Sequence, residues 1–440
     1  MLKHRLIAAA LLATAAAPAP APPEPILASP EQDEAEETLA WLLTHPDVKA
    51  IQQGLRKDLA ATEIGKTRDG AATIDRAIEC LTNSLIFKEM TTYRPRPHLL
   101  WATEDTPREW RGRRTGCTGT AGDNPDNIYR SSVVEGGVRY EVTGRFDPRR
   151  RATQLVVQAG PGEPGFAPDW STAGSEAVTV LKAFTDRDLA IAPDGTFRVT
   201  IGGPGDGPSH VATPPGPVSF GFRDTMADWN QEPARLVMRQ LDPAEPRPYD
   251  RNELRRRVVG RLGDYVRGWA EFPKHWFGGL KPNTSGGPIG RAGAWGFVAG
   301  IRFSLADDEA MVVMTSRGGA AYTGFQVVDP WTIAADARTH LTSLNLAQAK
   351  PDRNGDITYV IAKSDPGVAN WLDTTGLGDG YAVVRWQAPP AGAKAEGLLK
   401  SVRVIKLAEA AKLPGIALSD PKKRARQLEQ RAREWANRLR

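Results

Sequence analysis

Between Tyr322 and Trp386 the sequence sets Asp329-Pro330-Trp331, Arg338, His340, Ser343-Leu344-Asn345, Asp365-Pro366-Gly367, Asn370-Trp371-Leu372-Asp373 and Arg385-Trp386. Trp and Arg interleaved with Asp and Asn can form a surface where rings stack on a sugar or a small amphipathic molecule and side-chain forks fix its polar groups. Trp331, Arg338, Asn345, Asn370, Trp371 and Arg385 are the expected ligand contacts. If the site performs acid/base chemistry, its acid and base come from His340, Asp329, Asp365 and Asp373. The same residue types also build ordinary sandwich corners, and the sequence alone does not separate the two. A second polar cluster, Gly122-Asp123-Asn124-Pro125-Asp126-Asn127-Ile128-Tyr129-Arg130, reads first as a turn, because Asx residues around Pro are turn formers.

Familiar catalytic signatures are missing from the chain. It contains no Gly-x-Ser-x-Gly elbow, no His-Glu-x-x-His pair, no phosphate loop ending in Lys-Ser/Thr and no Cys-x-x-Cys. Its 6 histidines are scattered without metal-ligand spacing, so neither a metal nor a cofactor is expected. Gly202-Gly203-Pro204-Gly205-Asp206-Gly207 leads into no helix, and Pro204 lacks the N–H a phosphate would use; it is expected to be a loop between strands. Asp352-Arg353-Asn354-Gly355-Asp356 lacks the bidentate Glu of a calcium loop and reads as a turn entering a strand at Ile357.

These residues need a scaffold, and its elements follow from periodicity. Ser29-Pro30-Glu31-Gln32 has a capping Ser, Pro at the first helical position and Gln three residues after the Ser. Leu39, Leu42 and Leu43 continue that helix. His45-Pro46 opens another carrying Val48, Ile51, Leu55 and Leu59, and a third places Ile74, Ile78, Leu81 and Leu85 on one face. Beyond Thr91 the runs alternate or are β-branched: Gly137–Thr143, Thr153–Val157, Phe197–Ile201, Met311–Met314, Tyr322–Val328, Ile357–Ala362, Tyr381–Gln387 and Ser401–Leu407. Asp194-Gly195 predicts a hairpin between Leu189–Ile191 and Phe197. A helix from Asn252 to about Trp269 interrupts the strands; the Arg255-Arg256-Arg257 within it reads as a solvated face.

The fold expected is mainly β with α additions: jelly-roll-like antiparallel β-sandwiches with an N-terminal helical segment, an inserted helix and a C-terminal helix, since helices and strands do not alternate. The predicted organisation is a leader at 1–21, a Pro/Ala-rich start at 22–28, helices at 29–90, a first β-rich region at 91–248, a helix and Gly/Pro linker at 249–293, a sandwich at 294–410 and a basic helix at 419–440.

Ser343-Leu344-Asn345, Asn354-Gly355-Asp356-Ile357-Thr358-Tyr359-Val360-Ile361, Asp365-Pro366-Gly367, Asn370-Trp371-Leu372 and Arg385-Trp386 together resemble the C-terminal signature of the bacterial family called domain of unknown function 1214. The resemblance covers roughly residues 308–390 and implies a jelly-roll-like sandwich without an established activity. Asp373 stands where that family carries Pro, and Trp386-Gln387 replaces its aromatic and apolar pair, which marks a divergent branch.

Lys3-His4-Arg5, the apolar run Leu6–Leu12 and the small residues after it form a secretory pattern, so a periplasmic or secreted location is expected. The apolar run is too short to span a bilayer, and no later segment reaches the necessary length of about 20 residues. In an oxidising compartment the two cysteines, Cys80 and Cys117, are expected to be bonded. The net charge of +5 falls to +3 once Lys3 and Arg5 leave with the leader. Because the last twenty residues carry eight cations against Glu429 and Glu434, the remaining body is mildly acidic, and a nucleic-acid partner is not expected. The basic tail reads as a solvated helix end. A carbohydrate or small amphipathic organic molecule is the partner anticipated, with a structural envelope protein lacking a ligand site as the alternative; the oligomeric state is not written in the sequence.

Overall fold

Ser29 caps the first helix as its sequence context predicts, accepting the Gln32 N–H at 3.1 Å. Only half of the capping box forms, because the Gln32 side chain turns to Glu36 and to the Trp101 backbone. The computed structural model describes residues 26–437 except 169, 171–179, 244, 246 and 247; the leader predicted at 1–21 lies outside the described residues. Helices α1 (Pro30–Leu42), α2 (Pro46–Ala61) and α3 (Arg68–Thr92) occupy the predicted N-terminal positions. The interior helix α4 (Arg251–Ala270) folds back onto them, burying Leu254, Val258, Leu262 and Tyr265 in the same core as Ile74, Ile78, Leu81 and Leu85. Its arginines are not simply solvated: Arg255 pairs with Asp47, and Arg257 with Glu89 and Glu163. A short helix, α5 (Phe272–Phe277), follows.

Each β region closes into a two-sheet sandwich. In the first, a five-stranded sheet runs Leu100–Thr103, Asn127–Gly136, Gly216–Thr225, Gln154–Pro161, Lys182–Thr185, and faces a four-stranded sheet of Arg235–Gln240, Tyr140–Arg145, Thr196–Ile201 and His210–Val211. In the second, Thr284–Ser285, Gly296–Ser304, Asp379–Gln387, Tyr322–Val328 and Ser343–Asn345 form one sheet, joined by Ile289–Gly290. Trp371–Asp373, Ile357–Ala362, Glu309–Thr315 and Leu399–Lys406 form the other. Pairing is antiparallel except at His210–Val211 and Trp371–Asp373. The protein is therefore mainly β with helical additions.

Alternation sets the two faces of each sheet. In the strand from Thr196 to Ile201, Phe197, Val199 and Ile201 enter the core while Arg198 stays outside. The Gly202–Gly207 segment is a loop between strands. Three further expectations need correction. Leu189–Ile191 forms no strand: Phe197 pairs with Gly144, and Asp194-Gly195 only turns the chain into that strand. Gly195 has φ +86°, and a Cβ there would lie 2.4 Å from the Phe146 carbonyl. The Gly278–Gly293 linker itself supplies the two short strands at Thr284 and Ile289.

The third correction concerns α6 (Pro421–Asn437), which is not a merely solvated end. Arg424 and Arg431 are buried, and they donate to the carbonyls of Val368 and Ala337. Trp435 packs edge-on against Trp229. Cys80 on α3 is bonded to Cys117, as expected, with Cα atoms 4.8 Å apart. Closing that loop of 37 residues stabilises by about 3 to 4 kcal/mol in the chain-entropy account and fixes α3 against the entry to the first sandwich. Among the described residues no helix is long and apolar enough to cross a membrane.

Candidate ligand cavity

The six predicted contacts do not share one surface. Trp331 is buried in the helical core and donates its indole N–H to the Gly70 carbonyl at 2.9 Å. Arg338 forks onto Asp336. Asn345 donates to Asp126 at 3.0 Å, and Asn370 bridges the backbone of Lys350 and Thr358. Trp371 donates to the Ala362 carbonyl beneath Arg424. Only Arg385 lines the large cavity described below. In the other five, the polar groups that suggested recognition already satisfy neighbouring backbone or side chains, as corner residues do.

The acid/base pool is brought together in part. His340 Nδ1 lies 2.9 Å from Asp373, and Asp373 shares the lining of a 30 Å³ cavity with Asp329. That space has room for little more than a water molecule, not for an organic substrate. Asp365 is separate, held by Arg424. Asp329 Oδ1 accepts the N–H groups of Trp331 and Ile333, both at 2.9 Å, while Oδ2 is buried without a partner. Burial pushes this carboxyl up to about 6, against the opposing pull of Arg76.

A raised folded-state value means that the folded protein holds the proton more tightly than the unfolded chain does. The resulting stabilisation is present below about pH 4 and is lost as pH rises towards about 6. Asp329→Asn keeps an acceptor for both N–H groups and is expected to remove this decline. Denaturant midpoints at intervals from pH 4 to 7 check it, and parallel profiles for wild type and variant would refute it.

A cavity of about 540 Å³ opens where the two sandwiches meet the helices. Its floor is the outer face of the five-stranded sheet. Along Val218-Ser219-Phe220-Gly221-Phe222-Arg223, the apolar residues enter the sandwich core, and Ser219, Gly221 and Arg223 face the cavity. Gly221 sits between Ser131 and Gln158 on the adjacent strands, and a Cβ built there meets nothing within 4 Å, so this part of the floor is open. Trp269, Phe272 and Trp276 form the helical wall; Tyr129, Trp295 and Phe297 extend the aromatic lining.

Charge in the cavity is predominantly positive. The Arg223 guanidinium lies 5.2 Å from the ring centroids of both Tyr129 and Trp295, with no hydrogen-bond or ion-pair partner among the described residues. Arg385 donates to Gln326 at 2.8 Å and to the Gly122 carbonyl, so both its partners are neutral. Glu163 is already bound by Arg257 and Arg261. Asp123 accepts from Thr120 and has no cation within ion-pair distance among the described residues. The cluster Gly122–Arg130 is thus the predicted turn only as far as Asp126; Asn127–Arg130 begins a strand, and both parts contribute to the cavity wall.

Sequence reading missed Arg223 and the floor. The strict alternation from Val218 to Arg223, with small residues on the outer face, was the available signal for a strand whose second face lies close to something else. The aromatic spacing around Trp269, Phe272 and Trp276 carried no such meaning before the chain was folded.

Fold and cavity together define a protein of two β-sandwiches braced by a helical cluster, with a large site where the three meet. No protein-family model matches the chain, and no curated protein matches it. Among solved structures, an uncharacterised protein from Burkholderia cenocepacia has this fold at TM-score 0.64 and 22% identity, covering 86% of this chain and 100% of its own. The VPA0106 protein from Vibrio parahaemolyticus aligns at TM-score 0.38 and 9% identity, over 76% of this chain and 99% of its own. The first likeness concerns the fold alone.

Proposed function

We propose that this chain is an exported binding protein for a small amphipathic organic anion, a ring system carrying a carboxylate, held in the cavity between its sandwiches. The observation that carries the reading is the Arg223 guanidinium, without a hydrogen-bond or ion-pair partner among the described residues and framed by two aromatic rings on the floor of a cavity of about 540 Å³. That volume is within the usual range for small-molecule sites, about 300 to 1,000 Å³. Aromatic walls favour the ligand's apolar body, and charge-assisted hydrogen bonds from Arg223 and Arg385 favour its anionic end. A neutral sugar makes less use of two guanidinium groups. The secretory pattern at 1–21 and the single disulfide support export. Kinship of residues 308–390 with domain of unknown function 1214 belongs to the same proposal and adds no activity to it.

Thermal-shift measurements test this with benzoate and naphthoate, their neutral amides, and neutral sugars. A ligand at one hundred times its dissociation constant stabilises by about 2.7 kcal/mol, so saturating acids raise the melting temperature clearly. The carboxylates are expected to stabilise the protein and the amides are not. Arg223→Ala is expected to weaken carboxylate binding by about tenfold or more, the worth of one charge-assisted hydrogen bond. Stabilisation by sugars but not acids, or unchanged acid binding in Arg223→Ala, would overturn the reading.

A further inference from the structure

Lys88 stands at the same cavity in surroundings that neither a solvated lysine nor an ion-paired one would have. It projects from α3 into the lining, with part of its side chain open to the cavity. Its amine donates to the Tyr265 hydroxyl at 2.5 Å and lies 4.8 Å from the Trp269 ring centroid. No carboxylate comes within ion-pair distance among the described residues. The Tyr265 hydroxyl is also 3.1 Å from Ser84 Oγ, so a short hydroxyl relay leads away from the amine.

We propose that Lys88 is a nucleophile that forms a reversible imine with an aldehyde or ketone group of the ligand; this rests on the cavity being the ligand site. The neutral amine nitrogen bonds to the carbonyl carbon, giving a carbinolamine. One N–H proton moves to the former carbonyl oxygen in that step; the resulting hydroxyl then leaves with the remaining N–H proton as one molecule of water as the C=N bond forms. No oxidant or reductant takes part. Tyr265, whose phenol burial keeps protonated, is the nearest group able to exchange a proton with the amine. Desolvation lowers the Lys88 amine to about 8, with Asp123 opposing the shift from across the cavity wall, so an appreciable neutral fraction exists near neutrality. The ligand class becomes sharper: a carbonyl compound that also carries an anionic group for Arg223 or Arg385.

The test uses purified protein, 4-carboxybenzaldehyde and sodium cyanoborohydride, which fixes an imine as a secondary amine, followed by peptide mapping. Lys88 is expected to be labelled at least about tenfold faster than any other lysine at neutral pH, because its neutral fraction is more than about a hundredfold larger while a less basic amine attacks somewhat more slowly. Lys88→Arg should lose that label while the remaining lysines react unchanged. The non-carbonyl analogue 4-(hydroxymethyl)benzoate reports binding separately, by thermal shift and by competition. If the analogue binds and Lys88 is labelled no faster than surface lysines, the imine fails and the binding reading stands. If neither analogue binding nor selective labelling occurs, both are overturned. Selective labelling without analogue binding would keep the nucleophile and refute the anion reading.

Discussion

Asp126→Ala is expected to lower the folding free energy by about 3 to 5 kcal/mol, the range for removing one partner from a buried charged network. Asp126 is buried and accepts from the Trp229 indole at 2.6 Å, the Tyr322 hydroxyl at 2.7 Å and the Asn345 amide at 3.0 Å. Those donors belong to three separate segments: a loop joining two strands of the first sandwich and two strands of the second. Alanine would take the carboxylate acceptor from all three, although the Tyr322 hydroxyl keeps its bond to Asn124, at about 1 to 3 kcal/mol for each buried donor whose bond is not replaced. Asp126→Asn retains a carbonyl acceptor but turns an amide N–H₂ towards donors, so a smaller loss is expected. Denaturant unfolding of the three proteins measures the order wild type, Asn, Ala; a cost for Ala below about 1 kcal/mol would mean that the network is not what joins the sandwiches.

Asp126 also shows where sequence reading reaches its limit. Tyr322–Val328 and Ile357–Ala362 are legible to the residue, because a run of β-branched and aromatic side chains has few alternatives to a strand. The Ser29 cap and the α3 face are local and equally readable. Gly122–Arg130 is readable only as a turn: its buried donors come from about 100 to 220 residues away, and no spacing within the segment reports them. Arg424 and Arg431 mislead for the same reason, since a basic helix looks solvated until the carbonyls it meets are known. The cavity draws on α3, both sandwiches and the α4–α5 corner, so its residues become a set only after folding. Arg385 was found because it lies beside other polar residues, and Arg223 was missed because it lies in a strand whose outer neighbours are small.

Trp331→Ala is expected to cost about 3 to 5 kcal/mol, as for other fully buried aromatic truncations, while leaving carboxylate binding within about twofold of wild type. Trp331 is 1% exposed and joins a loop of the second sandwich to the helical core. Its indole bonds Gly70 at the start of α3, where Asp69 also accepts the N–H groups of Gly378 and Asp379. The truncation therefore opens a void and loosens the contact by which α3 meets the second sandwich. Trp331→Phe keeps most of the volume and loses only the indole bond, so a cost of about 1 to 2 kcal/mol is expected. Arg223→Ala should behave in the opposite way, with stability within about 1 kcal/mol of wild type because among the described residues the guanidinium has no hydrogen-bond or ion-pair partner to lose, only its contacts with the Tyr129 and Trp295 rings, and with binding impaired. Measuring unfolding and naphthoate affinity on the same three variants separates the roles. Weaker binding in Trp331→Phe at unchanged stability would return Trp331 to the ligand and displace the cavity, because that tryptophan contributes nothing to its lining.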